Sequence, residues 1–160
     1  MMNRDYLAHE RVVAHLFDRS DEMETLWKFL KPMEKEVEKV WTAIDHFWKY
    51  AAESYGVTRS IDKHEKGAQC LSDTMITKML LGTCGCIPAY DQYFKKGIRQ
   101  LNGTQKLGKE SLSQVVAHYR EIEIDLPKNT YVIKEDDISI VYPPMKLMDM
   151  CFWQIGKQIQ

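Results

Sequence analysis

Residues 72–103 have the sequence SDTMITKMLLGTCGCIPAYDQYFKKGIRQLNG, which predicts a helix, a tight glycine hairpin and a second helix. Ser72 is a good N-cap for the first helix, because its hydroxyl can accept a hydrogen bond from a backbone N–H that the helix leaves free. The first helix has one apolar face, formed by Met75, Ile76, Met79 and Leu80. Gly82 is expected to end this helix as a left-handed C-cap.

The second helix of this stretch is expected to begin at Pro88, because proline is favoured at the first helical position. Asp91 then falls in the first turn, and Gly103 is expected to end the helix. An aspartate in a first turn has a common structural role, since it satisfies free N–H groups and the helix dipole. The alternative is that Asp91 carries chemistry, and the sequence leaves both interpretations open.

Apolar periodicity predicts further helices on both sides of this stretch. The expected helices cover residues 3–18, a segment from Ser20 that Pro32 closes, 33–55, 109–124, and the segment that Pro143 and Pro144 start. Residues 131–134 and 138–142 are rich in β-branched and aromatic side chains, so one short β-hairpin near the C-terminus is an option. We therefore predict an all-α fold, with residues 1–160 as a single compact domain of six to seven helices around a central helix-hairpin-helix-like element.

The composition is that of an ordinary globular protein, with 44% hydrophobic and 28% charged residues. No apolar run approaches the roughly 20 residues that a membrane span needs, so no membrane partner is expected. The first residues carry charges of both signs and no apolar core of a signal peptide, and the cytoplasm is therefore the expected location. The oligomeric state stays open, although the last helix is apolar enough for a buried central element or a dimer face.

The net charge of −1 excludes a strongly basic nucleic-acid-binding protein, but the charge is unevenly distributed. Between Asp91 and Glu110 the chain has five basic residues and no acidic one: Lys95, Lys96, Arg99, Lys106 and Lys109. Such a segment is either a solvated helix and loop or a site of phosphate contacts.

The four cysteines are expected to be free thiols in a reducing compartment. The Cys84-Gly85-Cys86 sequence raises zinc as an alternative, but it lacks the two-residue spacing of a zinc knuckle, and we predict no metal and no cofactor.

Residues 80–99, LLGTCGCIPAYDQYFKKGIR, resemble the active-site segment of the helix-hairpin-helix DNA glycosylase superfamily. In that superfamily a helix ends in a glycine loop, a proline-containing apolar stretch follows, and an aspartate opens a helix that carries a basic residue about two turns later. The resemblance implies a DNA or nucleotide ligand in a cleft at Asp91. It also implies that any catalysis would be N-glycosidic bond hydrolysis, with Asp91 stabilising positive charge on the sugar.

The resemblance and the residue chemistry together give a set of candidate ligand-binding residues. Gly82 and Gly85 lack side chains, so a phosphate could approach their N–H groups closely. Tyr90 and Tyr93 could stack on a base, and by the resemblance Lys95, Lys96 and Arg99 would lie along the phosphate path.

A second hypothesis belongs to a different class of function. The near-neutral charge and the absence of a G-x-G phosphate-binding hairpin before Asp91 favour a non-catalytic protein that binds a protein partner. An example would be a phage-borne inhibitor of a host defence system. Its contact surface would be either its acidic residues or its methionine-rich last helix.

Overall fold

The computed structural model describes residues 2–17, 20–28, 34–56, 58–59, 70–123, 132–135, 138–141 and 143–159. Seven α-helices account for most of this part of the chain, and the predicted all-α fold is confirmed. They are α1 (Met2–Leu16), α2 (Asp21–Lys28), α3 (Val37–Tyr55), α4 (Asp73–Thr83), α5 (Gln92–Gln100), α6 (Lys109–Glu123) and α7 (Pro144–Gln158). One cluster of buried apolar side chains includes residues from all seven helices.

Short strands accompany the helices. β1 (Thr58–Arg59) pairs in parallel with β2 (Cys70–Leu71). β3 (Val132–Glu135) pairs antiparallel with β4 (Ile138–Val141), at the position where the sequence offers a hairpin. Pro32, Met33, Pro127 and most of the predicted loop at 57–71 lie outside the described residues.

The long helix α3 buries one face in the core, and its helical structure agrees with its periodicity. Its inward face is formed by Val37, Val40, Ala43, Ile44, Phe47, Trp48 and Ala51, all of which are buried. A 3-10 turn (Glu34–Glu36) leads into it, and Gly56 ends it in the left-handed conformation at φ +63°. α1 packs on α3 partly through the ring of His15, which stacks on Tyr50 with 3.8 Å between centroids.

The junction between α4 and α5 differs from the prediction. α4 continues through Gly82 to Thr83, and Gly85 is the residue that adopts the left-handed conformation. The amide of Gly85 donates to Leu80 O at 3.0 Å, so the reversal occurs three residues later than expected. Gly82 is therefore a helical residue.

The predicted start of α5 at Pro88 is also wrong. Residues 84–90 form a buried, irregular connection, and the helix begins only after Asp91, which is its N-cap. At the other end the helix stops at Gln100, where Asn102 takes the left-handed conformation at φ 57°. Gly103 follows, and its amide donates to Ile98 O at 2.9 Å.

α5 and α7 pack against each other at very short range because each contributes a glycine to the contact. A Cβ atom on Gly97 would overlap the carbonyl group of Phe152, and one on Gly156 would overlap the carbonyl group of Tyr93. α7 begins at Pro144, in agreement with the prediction, and buries one face through Met145, Met148 and Phe152. Its opposite face is open, since Met150 is 47% exposed and Cys151 is also exposed.

Candidate nucleic-acid interface

Asp91 has the geometry of a helix cap. Its Oδ1 accepts hydrogen bonds of 3.0 Å from the backbone amides of both Tyr93 and Phe94. These are two of the amides that the first turn of α5 leaves without a helical partner. Within the described part of the chain, Oδ2 has no hydrogen-bond partner. The structural role that the sequence left open for Asp91 is therefore present, whereas catalysis would depend on Oδ2.

The backbone before Asp91 is held by side chains of two other helices. Asp149 of α7 accepts a 2.9 Å hydrogen bond from the Ala89 amide. Thr77 of α4 accepts one of 2.8 Å from the Tyr90 amide, and the hydroxyl of Thr74 donates to Tyr90 O at 2.8 Å. These contacts satisfy the polar groups of a buried non-helical segment, which would otherwise be costly to bury.

The sequence interpretation missed Asp149, although the sequence contains a signal for it. Asp149 is the one acidic residue of α7, a helix that is apolar on most sides. A carboxylate at such a position needs a partner, because burying an unpaired charge is very unfavourable. Its partners are the Ala89 amide and Lys146, whose Nζ lies 3.3 Å from Oδ2.

Tyr90 does not face a ligand. Its side chain is fully buried, and its hydroxyl lies 2.7 Å from the Oγ of Ser111 on α6. Burial raises the pKa of the Tyr90 phenol well above its ordinary value. The predicted stacking of Tyr90 on a base is therefore wrong for this structure, because its ring packs against Phe94 in the core with 4.6 Å between centroids.

The two candidate glycines do not form an open phosphate cradle. Gly85 is buried, and a Cβ placed on it would lie 2.6 Å from Pro143 Cγ. Gly82 is exposed but lies within α4, where backbone amides are used by the helix. The sequence suggested that a phosphate could approach the Gly85 N–H closely. The structure excludes this approach, because Pro143 packs against Gly85 and the Gly85 N–H already donates to Leu80 O.

Tyr93 and Lys96 belong to a surface that the sequence predicted only in part. The rings of Tyr93 on α5 and Trp153 on α7 meet edge to face, with 5.3 Å between centroids and 66° between planes. Lys96 Nζ lies 5.9 Å from the centroid of Tyr93, and Lys157 Nζ lies 4.9 Å from that of Trp153. Both rings are half-buried and both lysines are exposed. We call these four residues the aromatic–lysine surface.

Helical spacing and the two interhelical glycines produce this surface. Lys96 follows Tyr93 by three residues and Lys157 follows Trp153 by four, so each lysine lies beside its ring on one helix face. The close approach at Gly97 and Gly156 brings the two helix faces together. Trp153 is only half-buried, so part of its ring is accessible at this surface.

The remaining basic residues of the 92–109 segment are dispersed. Lys95 is half-buried and Arg99 is exposed on α5, and the structure records no ion pair for either residue among those it describes. Lys106 is exposed in the loop after α5, and Lys109 forms an ion pair with Glu38 of α3. Of the three residues predicted to lie along a phosphate path, Lys96 adjoins an aromatic ring, and Lys95 and Arg99 lie on the same helix.

Cys84 and Cys86 are buried free thiols, and Cys151 is an exposed one. A hydrogen bond between the first two lowers the pKa of Cys84, whereas the same contact and burial raise the pKa of Cys86. In the part of the chain that the structure describes, no three histidine, cysteine or acidic side chains are grouped so that they could hold a metal ion.

Comparisons with known proteins find no matching protein family, no similar curated protein and no similar solved structure. Of the helices described, none is both long enough and apolar enough to cross a membrane.

Proposed function

We propose that the protein binds single-stranded nucleic acid through the aromatic–lysine surface on α5 and α7. The observation that supports this proposal is the edge-to-face pair of Tyr93 and Trp153, flanked by Lys96 and Lys157. Partly exposed aromatic rings beside lysines are the elements that non-sequence-specific single-strand binding uses, because every base has a face that can stack and every nucleotide has a phosphate.

Binding would exchange one set of contacts for another. In the free protein each lysine lies near an aromatic ring, an interaction worth about 0.5–1 kcal/mol at an exposed site. A base that stacks on the ring gains about 1–3 kcal/mol and releases the lysine toward a phosphate. The exchange is therefore favourable for a strand that presents unpaired bases, and duplex DNA, with its bases stacked inside, would not benefit from it.

The charge of the whole protein limits the affinity. With a net charge of −1, long-range attraction does not concentrate nucleic acid at the surface. Binding must depend on local contacts with Lys96 and Lys157, and on Lys95 and Arg99 where the strand extends along α5. We expect weak binding that falls as salt rises.

The resemblance to DNA glycosylases adds a chemical step to this proposal. Asp91 caps the helix that carries Tyr93 and Lys96, and its Oδ2 is the oxygen left over from capping. If a sugar lies against that oxygen, the carboxylate would stabilise positive charge on the sugar as the N-glycosidic bond breaks. The bonding electron pair would leave with the base, and water would add to the sugar carbon and give up a proton. Asp91→Asn separates the two roles, because asparagine caps a helix as well as aspartate but carries no charge. Loss of base release with unchanged binding and stability supports hydrolysis.

Charge reversal tests the binding proposal. Fluorescence anisotropy of a labelled single-stranded oligonucleotide at low salt is compared for wild type and for Lys96→Glu with Lys157→Glu. We expect the pair to weaken binding by about tenfold or more, since two phosphate contacts become repulsive. The matched control is Lys35→Glu with Lys39→Glu, which makes the same charge change at exposed positions around the start of α3. Equal losses in the two double variants would reject the proposed surface.

A second candidate function is non-catalytic protein binding through α7. Uncharged residues of its open face, including Met150, Cys151 and Ile155, line a shallow cavity of about 460 Å³. Exposed methionine is typical of adaptable protein-binding surfaces. If the wild-type protein shows no saturable binding to single strands at low salt, this second function becomes the better explanation. Specific binding that Lys96→Glu with Lys157→Glu removes counts against it.

A further inference from the structure

A second cavity lies away from the aromatic–lysine surface, between α3 and the start of α6. Its volume is about 490 Å³, within the range of small-molecule sites. Trp41 and Asp45, one helical turn apart on α3, form one wall. Lys106 and Leu107 from the loop before α6 form the other wall, and the buried Ser111 also lines the cavity. The two walls therefore present an aromatic ring and charges of both signs to one space.

The wall formed by the loop is rigidly held. The Ser111 hydroxyl donates to Thr104 O at 2.7 Å, and the Thr104 amide donates to Gln114 Oε1 at 2.7 Å. Lys109 forms an ion pair with Glu38, which links α6 to α3 beside the cavity. The cavity is therefore largely preformed, and ordering the loop on ligand binding would cost little free energy.

The chemistry of the walls selects the ligand. Trp41 is half-buried, so part of its ring is available to stack on a flat heterocycle. Lys106 is exposed and has no ion pair with any residue that the structure describes, so its ammonium can bind an anionic group. Asp45 is half-buried and lies 2.8 Å from Lys49 Nζ, and its carboxylate can accept hydrogen bonds from an amine or hydroxyl. The remaining charges near the cavity are those of Glu110 and the Lys109–Glu38 pair.

We propose that this cavity binds a nucleoside monophosphate. The base stacks on Trp41, the phosphate lies at Lys106, and donors on the base or ribose face Asp45. The first α6 amide to make a helical bond is that of Leu112, to Gly108 O at 3.0 Å, so the amides of residues 109–111 add further donors near the phosphate. The ring, the cation and the carboxylate each match one part of this ligand. The proposal does not rest on the aromatic–lysine surface.

Isothermal titration with 5′-AMP tests this inference, with adenosine, inorganic phosphate and free tryptophan as comparison ligands. We expect AMP to bind saturably. Adenosine and phosphate alone should each bind at least about tenfold more weakly than AMP, because each lacks one of the two main contacts. Lys106→Glu should weaken AMP binding by about tenfold or more, and Trp41→Leu should weaken both AMP and adenosine. Lys39→Glu, an exposed charge reversal on α3 outside the cavity lining, should leave AMP binding unchanged.

Several results would overturn the inference. These are an absence of saturable AMP binding, equal binding of AMP and phosphate, preferred binding of free tryptophan, or unchanged AMP binding in Lys106→Glu. Circular dichroism of each variant shows whether the helices are intact, and Lys106→Glu changes only an exposed side chain, so the test does not depend on Trp41→Leu folding. Single-strand binding by the Lys106→Glu variant should be unaffected, which separates failure at this cavity from failure at the aromatic–lysine surface.

Discussion

Asp149 Oδ1 accepts a 2.9 Å hydrogen bond from the backbone amide of Ala89, which lies 60 residues earlier in the chain. The contact joins α7 to the non-helical segment that leads into the Asp91 cap. It holds the amide at a buried position, where losing the acceptor would leave the N–H unsatisfied. A carboxylate on α7 thus helps to hold the segment from which α5 begins.

We expect Asp149→Ala to lower the free energy of unfolding by about 1–3 kcal/mol, the cost of a buried donor without a partner. Asp149→Asn keeps an oxygen acceptor for the Ala89 amide and should lose less. Urea denaturation of both variants measures the difference. Equal stability of Asp149→Ala and wild type would show that the hydrogen bond contributes nothing to the fold.

Glycine substitutions test the close contact between α5 and α7. Gly97→Ala should destabilise the protein by about 1–3 kcal/mol or more, because the added methyl group meets the backbone of Phe152 and the helices must separate. Gly82→Ala is the matched control: it also lies within a helix, but a Cβ there meets no atom within 4 Å. It should stabilise the protein by about 0.4–1 kcal/mol. Thermal unfolding measures both, and effects of the same sign would refute this account of the interface.

The cap of α5 gives a third prediction. Asp91→Ala removes the acceptor for two amides and should cost about 0.5–2 kcal/mol, whereas Asp91→Asn should be nearly neutral. Chemical denaturation of the two variants provides the comparison. If both variants are as stable as wild type, the cap does not contribute to the free energy of unfolding. That result would favour a functional role for the Asp91 carboxylate.

The buried Tyr90 phenol predicts how stability depends on alkaline pH. Its pKa is raised in the folded state by burial, so above the ordinary tyrosine pKa of about 10 the unfolded chain releases this proton first. The free energy of unfolding should therefore fall as the pH rises above about 10. Tyr90→Phe should show a shallower fall, because its ring cannot ionise. Denaturation at a series of pH values measures both slopes, and identical slopes would contradict the assignment.

The sequence predicts the helices well because most of them bury one regular apolar face. α3 illustrates this, since its three- and four-residue spacing and Gly56 give both its inward face and its end. The boundary between α4 and α5 was predicted wrongly because long-range contacts determine it. Gly82 and Gly85 are both plausible caps by local rules, and only the packing of Pro143 and the hydrogen bond to Leu80 distinguish them.

The candidate site was predicted less completely than the fold. Tyr93 was chosen from the sequence because a ring beside Asp91 could stack on a base, and Lys96 because the resemblance places it along the phosphate path. Tyr90 was chosen for the same reason as Tyr93, but its side chain is buried in the core and its hydroxyl bonds to Ser111. Trp153 and Lys157 could not be connected to Tyr93 from the sequence, since their proximity depends on two glycines that face each other across α5 and α7.

The salt dependence of single-strand binding tests the central claim most directly. Each phosphate contact on a single strand contributes a slope of about −0.7 to the logarithm of the association constant against the logarithm of salt concentration. If Lys96 and Lys157 each contact a phosphate, the wild-type protein should show a slope of about −1.4 or steeper. The double variant Lys96→Ala with Lys157→Ala should have a slope about 1.4 closer to zero. A wild-type slope near zero, or the same slope in both proteins, would contradict binding at the aromatic–lysine surface.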